Sequence, residues 1–144
     1  MARIVAVTVL VAALVLPMAG WAQAQTLQGV PPIMPVGEIR PGMRGIGRTV
    51  IKGQRIEEFA FEVIGTLKGG GGIIPVSHLI LFRISGPLTD QTGGTAAGMS
   101  GSPLFINGKL IGALSAGYLF QPNKRDLALA TPIEDMLRVL QLPA

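Results

Sequence analysis

The chain has 144 residues, with 12 basic against 8 acidic side chains, a single histidine and no cysteine, for a net charge of +4. That length holds one domain, and the missing cysteines exclude disulfides and thiolate metal sites. One histidine among scattered acids does not make a ligand set, so no metal or other cofactor is expected. The basic residues are spread thinly: Arg40, Arg44 and Arg48 would form a stripe only on a helix that Pro41, Gly42, Gly45 and Gly47 forbid, so no nucleic-acid binding is expected.

At the amino terminus, Met1-Ala2-Arg3 is a short basic start, Ile4 to Leu16 is apolar and uncharged, and Ala22-Gln23-Ala24 follows the A-x-A pattern. This order predicts a signal peptide over residues 1–24, cleaved after Ala24. Pro17 and Gly20 interrupt the apolar run, which is shorter than the span of about 20 residues that a bilayer requires. The protein is therefore expected to be exported, to the periplasm or the outside of the cell, with no stable membrane anchor after cleavage.

Residues 25–36, with Pro31, Pro32 and Pro35, read as an extended lead-in. Pro41-Gly42 turns the chain, Gly45 to Ile51 has strand character, and Lys52-Gly53-Gln54 turns it back. In Arg55 to Leu67, Phe59, Phe61 and Val63 alternate with Glu58, Ala60 and Glu62, which predicts a half-buried antiparallel strand completing a hairpin. The glycine run from Lys68 to Gly72 predicts a flexible loop; it lacks the Lys-Ser/Thr ending of a phosphate loop, so nucleotide binding is not expected. Ser77 to Ser85 reads as a central strand, apolar on both faces apart from Arg83. Gly86-Pro87 ends it, and the segment to Gly98 reads as loop.

Leu104-Phe105-Ile106 and Leu110 to Ala113 flank Asn107-Gly108, predicting a hairpin with a type I′ turn. Gln121 to Arg125 is a polar loop and Leu127 to Ala130 a short strand. One helix follows, with Thr131 as its cap, Pro132 in the first position, Glu134 completing a capping box, and Ile133, Met136, Leu137 and Leu140 as its apolar stripe. The architecture is mostly antiparallel β with one carboxy-terminal helix.

The chemistry centres on Gly98-Met99-Ser100-Gly101-Ser102-Pro103. A serine between glycines on so tight a turn has an exposed hydroxyl, and the backbone N–H groups of Gly98 and Ser100 are the expected pair for a developing oxyanion. A serine hydroxyl is a poor nucleophile until a positioned base takes its proton. His78 shares a strand face with Ile80, Phe82 and Ile84, where it reads as a structural histidine. Asp90, the nearest acid before the turn, serves equally as the third member of a triad or as a loop aspartate holding its own turn; Asp126 is a weaker alternative. Lys52, Lys68 and Lys109 could in principle form a Ser-Lys dyad, although Lys109 follows Asn-Gly and faces solvent.

A G-x-S-G-x-P turn leading into such a hairpin resembles the nucleophile region of chymotrypsin-like serine peptidases. The fuller pattern, TGG-x-x-x-GMSGSP and INGKLIGA with IEEFAFEVIGTLK, LILFRISGP and TPIEDML, is similar to the SpoIVB-type (S55) bacterial serine peptidase domain over Gly37 to Leu140. The resemblance implies a chymotrypsin-like partial barrel over residues 37–142, a peptide or protein substrate, and Ser100 as nucleophile. It does not extend the base to His78: in such peptidases the catalytic histidine lies in a Gly-His segment, and this sequence has no Gly-His pair. The base is expected from the remainder of a longer polypeptide, and the isolated chain is expected to be inactive. The alternative is a non-catalytic β-module that binds an extended peptide or protein partner through its sheet edges and apolar groove.

Overall fold

Alternation along the strands becomes a barrel in the computed structural model, which describes residues 31–69, 76–117 and 125–141. The predicted signal peptide, the first residues of the lead-in, most of the glycine-run loop and the polar loop before Arg125 lie outside the described residues. The strands are β1 (Arg44–Val50), β2 (Ile56–Lys68), β3 (His78–Ser85), β4 (Pro103–Ile106), β5 (Lys109–Gly117) and β6 (Leu127–Pro132). All neighbours are antiparallel, in the order β1-β2-β3-β6-β5-β4, and β1 pairs back onto β4 through Ile46 with Phe105 and Gly47 with Leu104. The expected chymotrypsin-like architecture is present, but the barrel, expected to be partial, is closed: among the described residues the outer strands β1 and β4 pair with each other.

The inward positions are the ones that the period of two selects. Phe59, Phe61 and Val63 of β2 are buried beside Ile80, Phe82 and Ile84 of β3, and Leu104, Ile106, Ile111, Leu114, Ala128 and Ala130 complete the lining. The Phe61 and Phe82 rings meet edge to face, with centroids 5.3 Å apart. Two glycines of β1 make room for this: Gly45 lies opposite Phe61 and Gly47 opposite Phe59. A Cβ on either glycine would run into the ring across from it. Burial of each phenylalanine is worth about 1.5–3 kcal/mol, so β1 trades side chains of its own for two aromatic rings from β2.

The β4–β5 turn has the expected type I′ form, with Asn107 at φ 50° and Gly108 at φ 75°. Elsewhere the structure corrects the sequence reading. The segment after Gly86 is not all loop, because Pro87–Thr92 forms a helix, α1. Pro87 opens it, Leu88 and Thr89 are buried, and Gly93 closes it in the left-handed region with its N–H on the Thr89 carbonyl. The Thr92 hydroxyl donates to the Leu88 carbonyl, 3.1 Å away.

The second helix, α2, spans Ile133–Val139, and its predicted capping box does not form. Thr131 and Pro132 still belong to β6, where Thr131 pairs with Ala113. Glu134 instead accepts the N–H of Val36, at 2.6 Å, from a one-turn 3-10 segment at Val36–Glu38. The predicted apolar stripe is only half used: Ile133 and Met136 are partly buried, but Leu137 is 38% and Leu140 81% exposed.

Candidate active site

Between α1 and β4 the chain makes the glycine-serine turn, and its side chains sort by direction. Met99 is buried in the core at 1% exposure, while Ser100 stands exposed. Gly98 at φ 94° and Gly101 at φ 89° supply the left-handed backbone that this reversal needs. Three of the five amides from 98 to 102 are occupied: Met99 donates to Ala96 O, Gly101 to Leu114 O and Ser102 to Met99 O. The Leu114 N–H returns a bond to Ser102 O at 2.9 Å, so the turn is clamped to β5.

The two remaining amides, Gly98 and Ser100, have no acceptor among the described residues, and neither does the Ser100 hydroxyl. Both residues line a cavity of about 430 Å³ whose other walls include Val50, Ile56, Pro103 and Phe105. Val50 is 43% and Ile56 67% exposed, so apolar surface continues outward from the serine. Arg48 also lines the cavity, its guanidinium 5.4 Å from the centre of the Phe105 ring and its Nε 3.0 Å from Glu58.

The Thr92-Gly93-Gly94-Thr95 run supports the turn from behind. Thr95 is buried and donates through both its N–H and its hydroxyl to the Arg125 carbonyl, at 2.7 and 3.0 Å. The Arg125 guanidinium reaches the Thr92 carbonyl at 3.3 Å. Gly94 is required here, since a Cβ would collide with the Arg125 backbone.

His78 sits elsewhere. It pairs with Lys68 at the last position of β2, whereas the cavity at Ser100 contains Ile56, the first residue of the same strand. The whole length of β2, 13 residues with a bulge between Val63 and Gly65, runs between the two positions. The neighbours of His78 are Ser77 and Asp135. Its Nδ1 lies 3.1 Å from Ser77 Oγ, and Ser77 donates through Oγ at 2.7 Å and N–H at 2.9 Å to the Asp135 carboxylate. Arg138 donates to both Ser77 Oγ and Asp135.

This is a serine, a histidine and an aspartate in contact, but in the wrong order for a triad. The serine lies between the other two and gives its proton to the carboxylate, so the imidazole has nothing to abstract. Burial, with the Asp135 side chain only 8% exposed, works to raise this carboxyl. The Ser77 hydroxyl, the N–H groups of Ser77 and His78, and Arg138 outweigh it and hold Asp135 below the usual carboxylate range.

Asp90 projects from the first turn of α1, exposed and with no ion pair or side-chain hydrogen bond among the described residues. Asp126 is paired to Arg83 at 2.8 Å, and Lys109 lies 3.9 Å from Glu38. The structure brings none of them to Ser100 as a hydrogen-bond partner. Sequence reasoning did not find the cavity walls Val50 and Ile56, the Thr95–Arg125 support, or the two adjacent acids Glu134 and Asp135 that fasten α2. The TPIEDML segment carries a capping signal at Glu134, and in the structure that carboxylate serves the Val36 N–H instead.

The family model described as SpoIVB peptidase S55 matches residues 19–137 of this chain. No curated protein matches it. Among solved structures, the HtrA-type protease AlgW with a decapeptide superposes with a TM-score of 0.60 at 18% identity, over 76% of this chain and 31% of that one. The inactive form of the Rv3671c protease gives 0.57 at 13% identity, over 83% of this chain and 59% of that one. The active form of the same M. tuberculosis protease gives 0.57 at 14%, over 81% and 49% respectively. Such identities establish a shared barrel. This chain spans less than two thirds of the length of each of these structures.

Proposed function

The chain belongs to the SpoIVB peptidase S55 family, and on that premise we propose that it is the nucleophile-bearing part of an exported serine endopeptidase, with residues 1–24 as its signal peptide. Ser100 Oγ attacks the carbonyl carbon of a peptide bond, and the carbonyl oxygen, as it becomes an oxyanion, accepts the N–H groups of Gly98 and Ser100. Collapse of the tetrahedral intermediate expels the amine and leaves an acyl-serine, which water then hydrolyses. The observation that carries this reading is the amide pattern of the turn, in which the N–H groups of Met99, Gly101 and Ser102 are consumed by the fold and those of Gly98 and Ser100 have no acceptor among the described residues.

Two proton transfers in this scheme need a base, and His78 is engaged at the other end of the barrel. The base therefore comes from a further polypeptide segment carrying a histidine. Without it, general-base assistance worth about 10²–10⁴ in rate is lost. Residues 25–144 alone should show little hydrolysis and little labelling by an organophosphonate serine probe. Adding the histidine-bearing segment should restore both, with the label on Ser100. Robust turnover by residues 25–144 alone, lost in both Ser100→Ala and His78→Ala, would overturn the assignment.

A second reading is favoured by one observation, that Ser100 Oγ has no hydrogen-bond partner among the described residues. On that reading the module binds peptides without cutting them, and the histidine-bearing segment would restore nothing.

A further inference from the structure

The serine turn is fastened behind Ser100, where Gly101 donates to the Leu114 carbonyl and Leu114 returns a bond to Ser102. Ahead of Ser100, the last hydrogen bonds to another part of the barrel, among the described residues, are those of Thr95. Thr95 is 1% exposed and gives both of its donors to one acceptor, the Arg125 carbonyl. Arg125 is itself a fixed point, because the next carbonyl, of Asp126, accepts the Ile84 N–H of β3 at 2.8 Å, and the Asp126 carboxylate is paired with Arg83. The Arg125 side chain adds little to this: its guanidinium reaches the Thr92 carbonyl at 3.3 Å, and its buried Nε has no partner among the described residues. Thr95 also abuts the end of β5, since a Cβ on Gly117 would run into its Oγ1. It therefore sits where the end of β5 and the approach to β6 meet.

From Thr95 the constraint reaches the serine in one short step. Ala96 follows in the chain; its carbonyl accepts the Met99 N–H at 3.2 Å, and its own N–H donates to Met99 Sδ at 3.3 Å. Residues 96–100 are thus a tight loop hung between two anchors, Thr95 in front and Gly101 with Ser102 behind. The N–H groups of Gly98 and Ser100, with no acceptor among the described residues, keep their direction only through those anchors.

We infer that Thr95 is a positioning residue for the reaction proposed above: its hydroxyl, through the Arg125 carbonyl, holds the front of the loop and with it the direction of the Gly98 and Ser100 N–H groups. This rests on the peptidase reading for its effect on rate, but not for its effect on the backbone. The geometric demand is steep, since a misplacement of about 1 Å can cost 10²-fold in rate.

The test compares Thr95→Val, which keeps the branched shape and the N–H but loses the hydroxyl donor, with Thr95→Ser, which keeps that donor. Ser77→Ala, which loses a hydroxyl bond at the other end of the barrel, is the control. In the full chain, Thr95→Val should shift or broaden the Gly98 and Ser100 amide resonances more than those of Gly101 and Leu114. With the histidine-bearing segment present, it should lower kcat by about 10- to 100-fold with KM changed less than about threefold, as expected when only transition-state contacts are lost. Thr95→Ser should recover the resonances and bring kcat to within about threefold of wild type, and Ser77→Ala should leave both readouts unchanged. If Thr95→Val does not fold, Thr95→Ala, which loses the same donor, takes its place. Equal kcat in Thr95→Val and wild type, equal losses in Thr95→Val and Thr95→Ser, or resonance changes as large at Gly101 and Leu114 as at Gly98 would each overturn the inference. If wild type with the segment neither cleaves peptide nor labels at Ser100, the peptidase reading fails and the resonances alone decide on Thr95. Unchanged at Gly98 and Ser100 in Thr95→Val, they overturn its role as well; changed there and restored in Thr95→Ser, they uphold it.

Discussion

The two ends of the barrel hold the same kinds of side chain to opposite effect. At one end Ser77, His78 and Asp135 touch one another and Arg138, and the serine proton and the carboxylate are both committed to hydrogen bonds. At the other, Ser100 stands among amides that have no acceptor among the described residues, next to exposed apolar side chains. The end that brings the residue types of a triad together is the one that fastens α2 to β3. Reactivity is to be sought where hydrogen-bonding capacity is left over, since a buried polar group with every partner in place resists change.

The sharpest way to break this comparison is to remove each serine in turn. With the histidine-bearing segment present, Ser100→Ala should lower turnover by roughly 10⁴-fold or more and move the urea midpoint hardly at all, whereas Ser77→Ala should shift the midpoint and spare turnover. Loss of turnover in Ser77→Ala, in a variant that remains folded, would mean that the two ends had been assigned the wrong way round.

Next in size is Asp135→Ala, which leaves the part-buried donors of Ser77 without their acceptor. A loss of about 1–2 kcal/mol in unfolding free energy is expected, measurable by denaturant titration; an effect below about 0.5 kcal/mol, that of an ordinary surface residue, would show that this end is not a fastening. The same carboxyl gives a pH signature. Its folded pKa lies below the ordinary 3.8, so its stabilisation is complete above the unfolded value and is lost as pH falls through the folded one. Wild type and Asp135→Asn should differ most near neutral pH and converge in acid, and a gap independent of pH would argue against a charged Asp135. Smallest should be His78→Gln, which keeps a side-chain hydrogen-bonding group near Ser77. It should cost less than about 1 kcal/mol and change turnover by less than the 10²–10⁴ expected of a general base.

Much of the barrel was legible because its signals are local. Phe59, Phe61 and Val63 announced an inward face by alternation, Asn107-Gly108 announced its turn, and glycines on either side of Met99-Ser100 announced a reversal. Helix α1 escaped because a six-residue helix has too little period to read, although Pro87 at its start and Gly93 just past its end marked both boundaries. The roles of Glu134 and Asp135 could not be read locally at all. Their partners Val36 and Ser77 lie 98 and 58 positions away, and Thr-Pro-x-Glu is also a sound capping signal that β6 overrides by running on to Pro132. The cavity escaped for a related reason, since Val50 and Ile56 flank a turn that looked like a hairpin tip exposed to water. Only the pairing of β1 with β4 carries that tip to the serine.

Closure of β1 onto β4 also orders events in time. The β1–β2, β2–β3 and β4–β5 pairings join neighbours in sequence and can form early, while Ile46 must find Phe105 across most of the domain, a search whose entropy has to be met before the contact gives anything back. The Gly101 to Leu114 clamp belongs to the local set and can shape the serine turn on its own. The cavity cannot form so early, because Val50 and Ile56 reach it only when the ring of strands shuts. A folding chain therefore passes through a stage in which it carries the Ser100 turn without the apolar wall beside it, and the late closure of the ring is also the step that completes the cavity.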